Sequence, residues 1–276
     1  MRKALLVFLS CFLCFSALGQ AVRIISGRGG LVLVARAGED FVVASDSAVL
    51  NADGTLSTVQ KILPVGKNGA LLVAGMVSLQ DPVSKPVREE VNISRIAASW
   101  LATHPEADIR TAREQINTQV VTALGKFFSV RNLGAEANQY KFTLIYAGFQ
   151  DEKPVCNATR YYLPAARGKN PRAEDLFATL ESGEARIFSG SGAVRELLNG
   201  KSHGLSEFKA DPAMQKLHDA GTQGLQAEDY LRVFSTTLGA AESAEGEKLD
   251  SGGAVIAAPN KFATITRKNG FAWRIP

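Results

Sequence analysis

Apolar runs broken by short turn-rich segments dominate the chain from Gly29 to Gly75. Leu31–Ala37 and Phe41–Ser45 read as one strand pair around Gly38-Glu39-Asp40. Gln60–Val65 and Ala70–Ala74 read as a second pair around Gly66-Lys67-Asn68-Gly69. Val, Ile, Leu and Phe fill both pairs, as strands covered on both faces require, and the Gly-flanked turns suit hairpins. Two polar residues, Asp46 and Lys61, sit between the pairs in otherwise buried-looking surroundings. Residues 48–57 contain Asn51-Ala52-Asp53-Gly54 and predict a loop.

Further along, the period changes. Ile93, Ile96, Ala97, Trp100 and Leu101 recur at helical spacing, and so do Ile109, Ala112, Ile116, Val120 and Leu124. These apolar faces predict two helices packed on a sheet, with a Pro-containing connection over 76–90 before them. Tyr140–Phe149 and Pro154–Leu163 predict two buried strands across Gln150-Asp151-Glu152-Lys153. Residues 164–184 read as a polar excursion and Arg186–Ser189 as a short strand. Gly190-Ser191-Gly192 opens an expected helix through Val194, Leu197 and Leu198, which Gly200 stops. Residues 201–224 look irregular, and Ala227–Ala241 predicts an amphipathic helix carrying Tyr230, Leu231, Phe234 and Leu238. The run Glu242–Glu247 reads as flexible, followed by Ser251-Gly252-Gly253. Strands are expected at Ala254–Ala258, Phe262–Arg267 and Phe271–Ile275. Strands close in sequence favour antiparallel hairpins, and helices grouped in pairs suggest layers outside two stacked sheets.

The first residues follow another pattern. Arg2-Lys3 precedes an almost wholly apolar run from Ala4 to Leu18, and Ala17-Leu18-Gly19 offers the small residues a signal peptidase reads. A signal peptide over 1–19 is expected, cleaved before Gln20, with 20–28 as a lead-in and 29–276 as one domain. The protein is then exported, to a periplasm or to the extracellular medium, with no membrane span after cleavage. An uncleaved anchor, or a lipid anchor at Cys11 or Cys14, remains as an alternative reading of this segment. Without Arg2 and Lys3, 29 basic residues face 27 acidic ones, so the net charge falls from +4 to +2. No basic cluster interleaved with aromatics occurs, which argues against a nucleic-acid partner. Cys156 is the one cysteine left after cleavage, so no intramolecular disulfide is expected and the core must hold the domain. His104, His203 and His218 show no ligand spacing to Cys156 or to each other, so no metal or cofactor is expected.

Four motifs occur in an informative order. They are Asp46-Ser47 at the end of the first hairpin, Gln60-Lys61-Ile62-Leu63-Pro64-Val65, and Ala74-Gly75-Met76-Val77. The fourth is the pair Ser189-Gly190-Ser191-Gly192-Ala193 and Ser251-Gly252-Gly253, the latter ahead of the closing strands. In this order, from about Gly29 onward, the chain resembles a proteasome subunit within the N-terminal-nucleophile hydrolase fold. That resemblance implies an α+β domain, a four-layer αββα sandwich of two antiparallel sheets flanked by helices. It also implies threonine-type peptide hydrolysis. There the amine of an N-terminal Thr serves as base for its own hydroxyl, helped by a Lys, an Asp and a backbone N–H that stabilises the oxyanion.

By resemblance Asp46 matches the Asp, Lys61 the Lys, Ser191 and Ser251 two supporting serines, and the Gly75 N–H the oxyanion turn. A further acid has no clean match, since Glu247 and Asp250 bracket its position. The nucleophile does not match either: Gly30 stands at its position, and no Thr, Ser or Cys lies between Gly27 and Gly38. Two readings follow. One is a non-catalytic scaffold or binding protein, self-associating as the family's rings do or holding a peptide or protein ligand. In this reading Asp46 and Lys61 are a structural ion pair and the two serines serve as helix caps. The other is an active peptide or amide hydrolase that uses Ser26 or another group after processing.

Overall fold

The computed structural model describes residues 25–50, 56–80, 90–130, 141–166, 168–189, 225–246 and 259–275. It is an α+β protein built mainly from antiparallel strands. The first strands are β1 (Ile25–Gly29), β2 (Leu31–Ala37), β3 (Asp40–Ser45), β4 (Ala48–Leu50), β5 (Leu56–Thr58), β6 (Ile62–Val65) and β7 (Gly69–Gln80). Strand β8 (Glu90–Asn92) leads into helices α1 (Ile93–Thr103) and α2 (Ile109–Phe128). The long hairpin β9 (Lys141–Gln150) and β10 (Lys153–Tyr162) follows, then β11 (Arg172–Phe177) and β12 (Ala185–Ser189). Helix α3 (Ala227–Gly246) precedes the closing hairpin β13 (Lys261–Thr266) and β14 (Gly270–Arg274).

Among the described residues these strands form two sheets. The nine-stranded sheet runs β11-β10-β9-β7-β1-β4-β5, with β6 and β8 also paired to β7. The five-stranded sheet runs β12-β2-β3-β13-β14. The two predicted hairpins therefore belong to different sheets, β2–β3 to one and β6–β7 to the other.

Strand alternation explains how the layers stack. Successive side chains point to opposite faces of a strand. On β7, Ala70, Leu72 and Ala74 meet Val32, Val34 and Val43 of the other sheet in one core. Leu71 and Val73 turn the other way and pack with Trp100 of α1 and Ile116 and Val120 of α2. On β2, Leu31, Leu33 and Ala35 pack with Tyr230, Phe234 and Leu238 of α3. Both faces of each sheet are thus apolar, which is why these strands read as unbroken hydrophobic runs.

The helices begin where side chains cap them. Asn92 Oδ1 accepts the Arg95 N–H at 2.9 Å, and Asp108 Oδ1 accepts the Thr111 N–H at 2.7 Å. No helix among the described residues is long and apolar enough to cross a membrane.

Several expectations change. Residues 25–28 of the expected lead-in, together with Gly29, form β1, hydrogen-bonded between β7 and β4. Residues 48–50 and 56–58 of the expected loop form β4 and β5. Strand β7 continues five residues past Gly75 to Gln80 instead of turning toward a helix. Within the expected polar excursion lies β11, whose exposed charged residues suit a sheet edge. Helix α3 runs through most of the acidic run to Gly246. The helix expected after Gly190 and the strand at Ala254–Ala258 fall outside the described residues.

Candidate functional site

The chain leaves the nine-stranded sheet at the end of β1 and enters the five-stranded one at β2, and Gly30 is the single residue between them. Its φ of +82° lies in the left-handed region, where a residue without Cβ is favoured. On the far side of β2–β3 the chain crosses between the sheets again, from β3 through Asp46 and Ser47 to β4. Lys61 precedes β6, and its carbonyl accepts the Val73 N–H of β7 at 2.9 Å. Position 30, Asp46 and Lys61 are therefore brought together where the chain passes between layers.

The contacts are tight and fully enclosed. Asp46 is 0% exposed and Lys61 1%. Lys61 Nζ donates to Asp46 Oδ1 and Oδ2, each at 2.8 Å, and to the Ala48 carbonyl at 2.9 Å. Three acceptors thus face the three protons of the ammonium. The Leu31 N–H donates to Asp46 Oδ1 at 2.7 Å, and the Asp46 N–H returns a bond to the Leu31 carbonyl at 3.2 Å. Burial is the larger influence on each charge. It pushes the Asp46 carboxyl above its ordinary value and the Lys61 ammonium below its own. The attraction between the two groups opposes both shifts.

Gly30 closes this arrangement from the remaining side. A Cβ built there would stand 2.0 Å from Asp46 Oδ1 and 2.0 Å from Lys61 Nζ. The space a side chain would need at position 30 is occupied by the ion pair itself. Upstream, the peptide chain is continuous into β1, where Gly29 pairs with Gly75 and Arg28 with Met76.

Other sequence candidates lie elsewhere. Ser26 pairs with Leu79 within β1–β7. It is four residues from Gly30, roughly 13 Å along an extended strand. Gly75 sits inside β7, between Gly29 and Phe142, with φ +88°, and not at a turn leading to a helix. Ser191, Ser251, Glu247 and Asp250 lie outside the described residues. The Ala48 carbonyl and the Leu31 N–H complete the pair, and no side-chain pattern could have pointed to them, because every residue carries such groups.

No protein-family model matches the chain, and no curated protein matches its sequence. Among solved structures it is similar to Anbu from Hyphomicrobium sp. strain MC1, at 9% identity over 88% of this chain and 86% of that one, with a TM-score of 0.48. A Gly-1 mutant of the same Anbu gives 9% identity, the same coverage and a TM-score of 0.49. The expected place within the proteasome subunit family is corrected by these comparisons. No family model supports it, and what stands is a low-identity structural likeness to Anbu, a bacterial proteasome-like protein. The motifs behind the expectation are short, and most of their residues are small or apolar ones that buried hairpins use in any case.

Proposed function

We propose that the chain is an exported, non-catalytic protein, a scaffold or binding protein on a four-layer αββα sandwich of the N-terminal-nucleophile hydrolase type. The layer reading draws on the three apolar cores, which set helices α1 and α2, the two sheets and helix α3 in that order. The functional reading rests on one observation. Where a nucleophile would stand there is a glycine, and its missing Cβ leaves the volume that Asp46 and Lys61 fill. Lys61 has its three protons committed to oxygens of its own chain, so none is left to steer a substrate hydroxyl. The pair then serves as a buried tie between the β3–β4 crossing, which carries Asp46, and the nine-stranded sheet, where Lys61 precedes β6. Self-association and capture of a peptide or protein ligand belong to the same reading.

The competing reading, a hydrolase using Ser26 after processing, is disfavoured by the pairing of Ser26 with Leu79, four residues before Gly30 in β1. Two measurements on secreted protein decide between them. Mass spectrometry of the mature N-terminus is expected to find Gln20, and a panel of fluorogenic peptides is expected to show no turnover that depends on Lys61. A chain beginning at Ser26, or peptidase activity abolished by Lys61→Met in a variant that remains folded, overturns the proposal. Size-exclusion chromatography with light scattering reads the self-association directly.

A further inference from the structure

A second polar cluster lies on the helix-facing side of the nine-stranded sheet and shares no residue with the ion pair. Arg110, Arg113, Glu114 and Asn117 fall at i, i+3, i+4 and i+7 along α2, hence on one face of it. With Gln150 of β9 and Asn157 of β10 they border a cavity of about 350 Å³ whose apolar part is Ile109 and Val155. That volume lies at the small end of ligand sites, which run from about 300 to 1,000 Å³.

The polar groups are held by neighbours. Tyr146 Oη donates to Asn117 Oδ1 at 2.9 Å. The Gln150 amide, oriented with its oxygen toward Arg110, accepts from Nε and Nη2 at 2.8 and 2.9 Å. Arg113 stands 3.6 Å from Asp175 Oδ1, and Asp175 is fixed by the Thr159 hydroxyl at 2.7 Å. Arg110 is thus positioned by a neutral amide, and none of the described carboxylates lies within ion-pair distance of it.

We propose that this cavity binds a small carboxylate, the group shared by a free amino acid and the C-terminal residue of a peptide. The two guanidiniums take the carboxylate in charge-assisted hydrogen bonds. Glu114, exposed beside the cavity, pairs with an ammonium only if the ligand is a free amino acid.

Calorimetric titration of the full chain with alanine, N-acetylalanine and N-acetylalaninamide tests this. At least one of the two carboxylates is expected to saturate, with the amide weaker by about tenfold or more. Arg110→Gln with Arg113→Gln is expected to weaken the carboxylate by a similar factor. Arg110→Gln alone, at an exposed position, guards against misfolding as the cause, and circular dichroism checks each variant. A loss of alanine binding alone in Glu114→Gln assigns the site to free amino acids, and no loss assigns it to peptide ends. Absence of saturation by either carboxylate, equal affinity for the amide, or undiminished binding in the folded double variant overturns the proposal.

Discussion

Gly30, Asp46 and Lys61 fit together because one lacks what the other two need room for. A methyl group at position 30 meets the carboxylate and the ammonium at 2.0 Å each. Neither can retreat into solvent, since both are buried. Gly30→Ala must therefore bear left-handed backbone strain of about 1–2 kcal/mol and also disrupt a buried ion pair, which costs about 3–5 kcal/mol when one charge is left unpaired. Urea unfolding of Gly30→Ala is expected to show a loss of roughly 3 kcal/mol or more. The same substitution in an Asp46→Ala, Lys61→Ala background, where neither side chain remains to fill that space, is expected to cost only the strain, about 1–2 kcal/mol. Equal losses in both backgrounds would falsify the steric account. The same geometry makes Gly30→Thr a poor route to a working hydrolase: the new side chain expels the lysine it would have to use.

At the scale of elements, α2 depends on its first turn. Asp108 closes that turn through the Thr111 N–H, and this bond holds its carboxyl below the ordinary value of 3.8. Asp108→Ala is expected to cost about 1 kcal/mol, a usual figure for a lost cap. Because the folded value is depressed, the contribution is present above pH 3.8 and fades as pH falls through the folded value. Wild type and variant should therefore converge in thermal midpoint only in strong acid; a gap that persists unchanged at pH 2 removes the charge from the explanation. Elements like α2 were legible in the sequence because one apolar stripe at period 3.6 specifies them. Strands β2, β3, β9 and β10 were legible through apolar runs covered on both sides. Strand β1 was not: Ile-Ser-Gly-Arg-Gly has no strand pattern, and its conformation comes from the ladders that β7 and β4 offer on either side. Strand β11 was hidden for a related reason, since an edge strand with exposed charges resembles a loop in composition. At the site, Asp46 and Lys61 stood out as polar residues among apolar neighbours. Their backbone partners, and the fact that the pair occupies the space beside Gly30, depend on tertiary geometry that local pattern does not carry.

Among the described residues, stability rests on three apolar cores, and each of them encloses a phenol or a thiol. Cys156 lies in the core between the sheets, and Tyr146 and Tyr161 in the core beneath α1 and α2. Burial raises all three. The Cys156 thiol moves from 9.0 to about 12, the Tyr161 phenol from 10.0 to about 12, and the Tyr146 phenol well above 10.0. Between pH 9 and 12 the folded protein keeps protons that the unfolded chain gives up. The unfolded state then binds fewer protons, and stability must fall as pH rises. A shift of about three units corresponds to roughly 4 kcal/mol for the thiol alone by the top of that range. Steepening is expected above pH 10, where the tyrosines join. Urea midpoints at half-unit intervals from pH 8 to 11 measure the slope, and Cys156→Ala should flatten it below pH 10, where the thiol acts nearly alone. A midpoint independent of pH over 9 to 11 rules out the protonated burial of these groups. The same burial should keep native Cys156 inert to a thiol reagent at pH 8, with labelling only at the rate of unfolding, because attack needs both the thiolate and access to it.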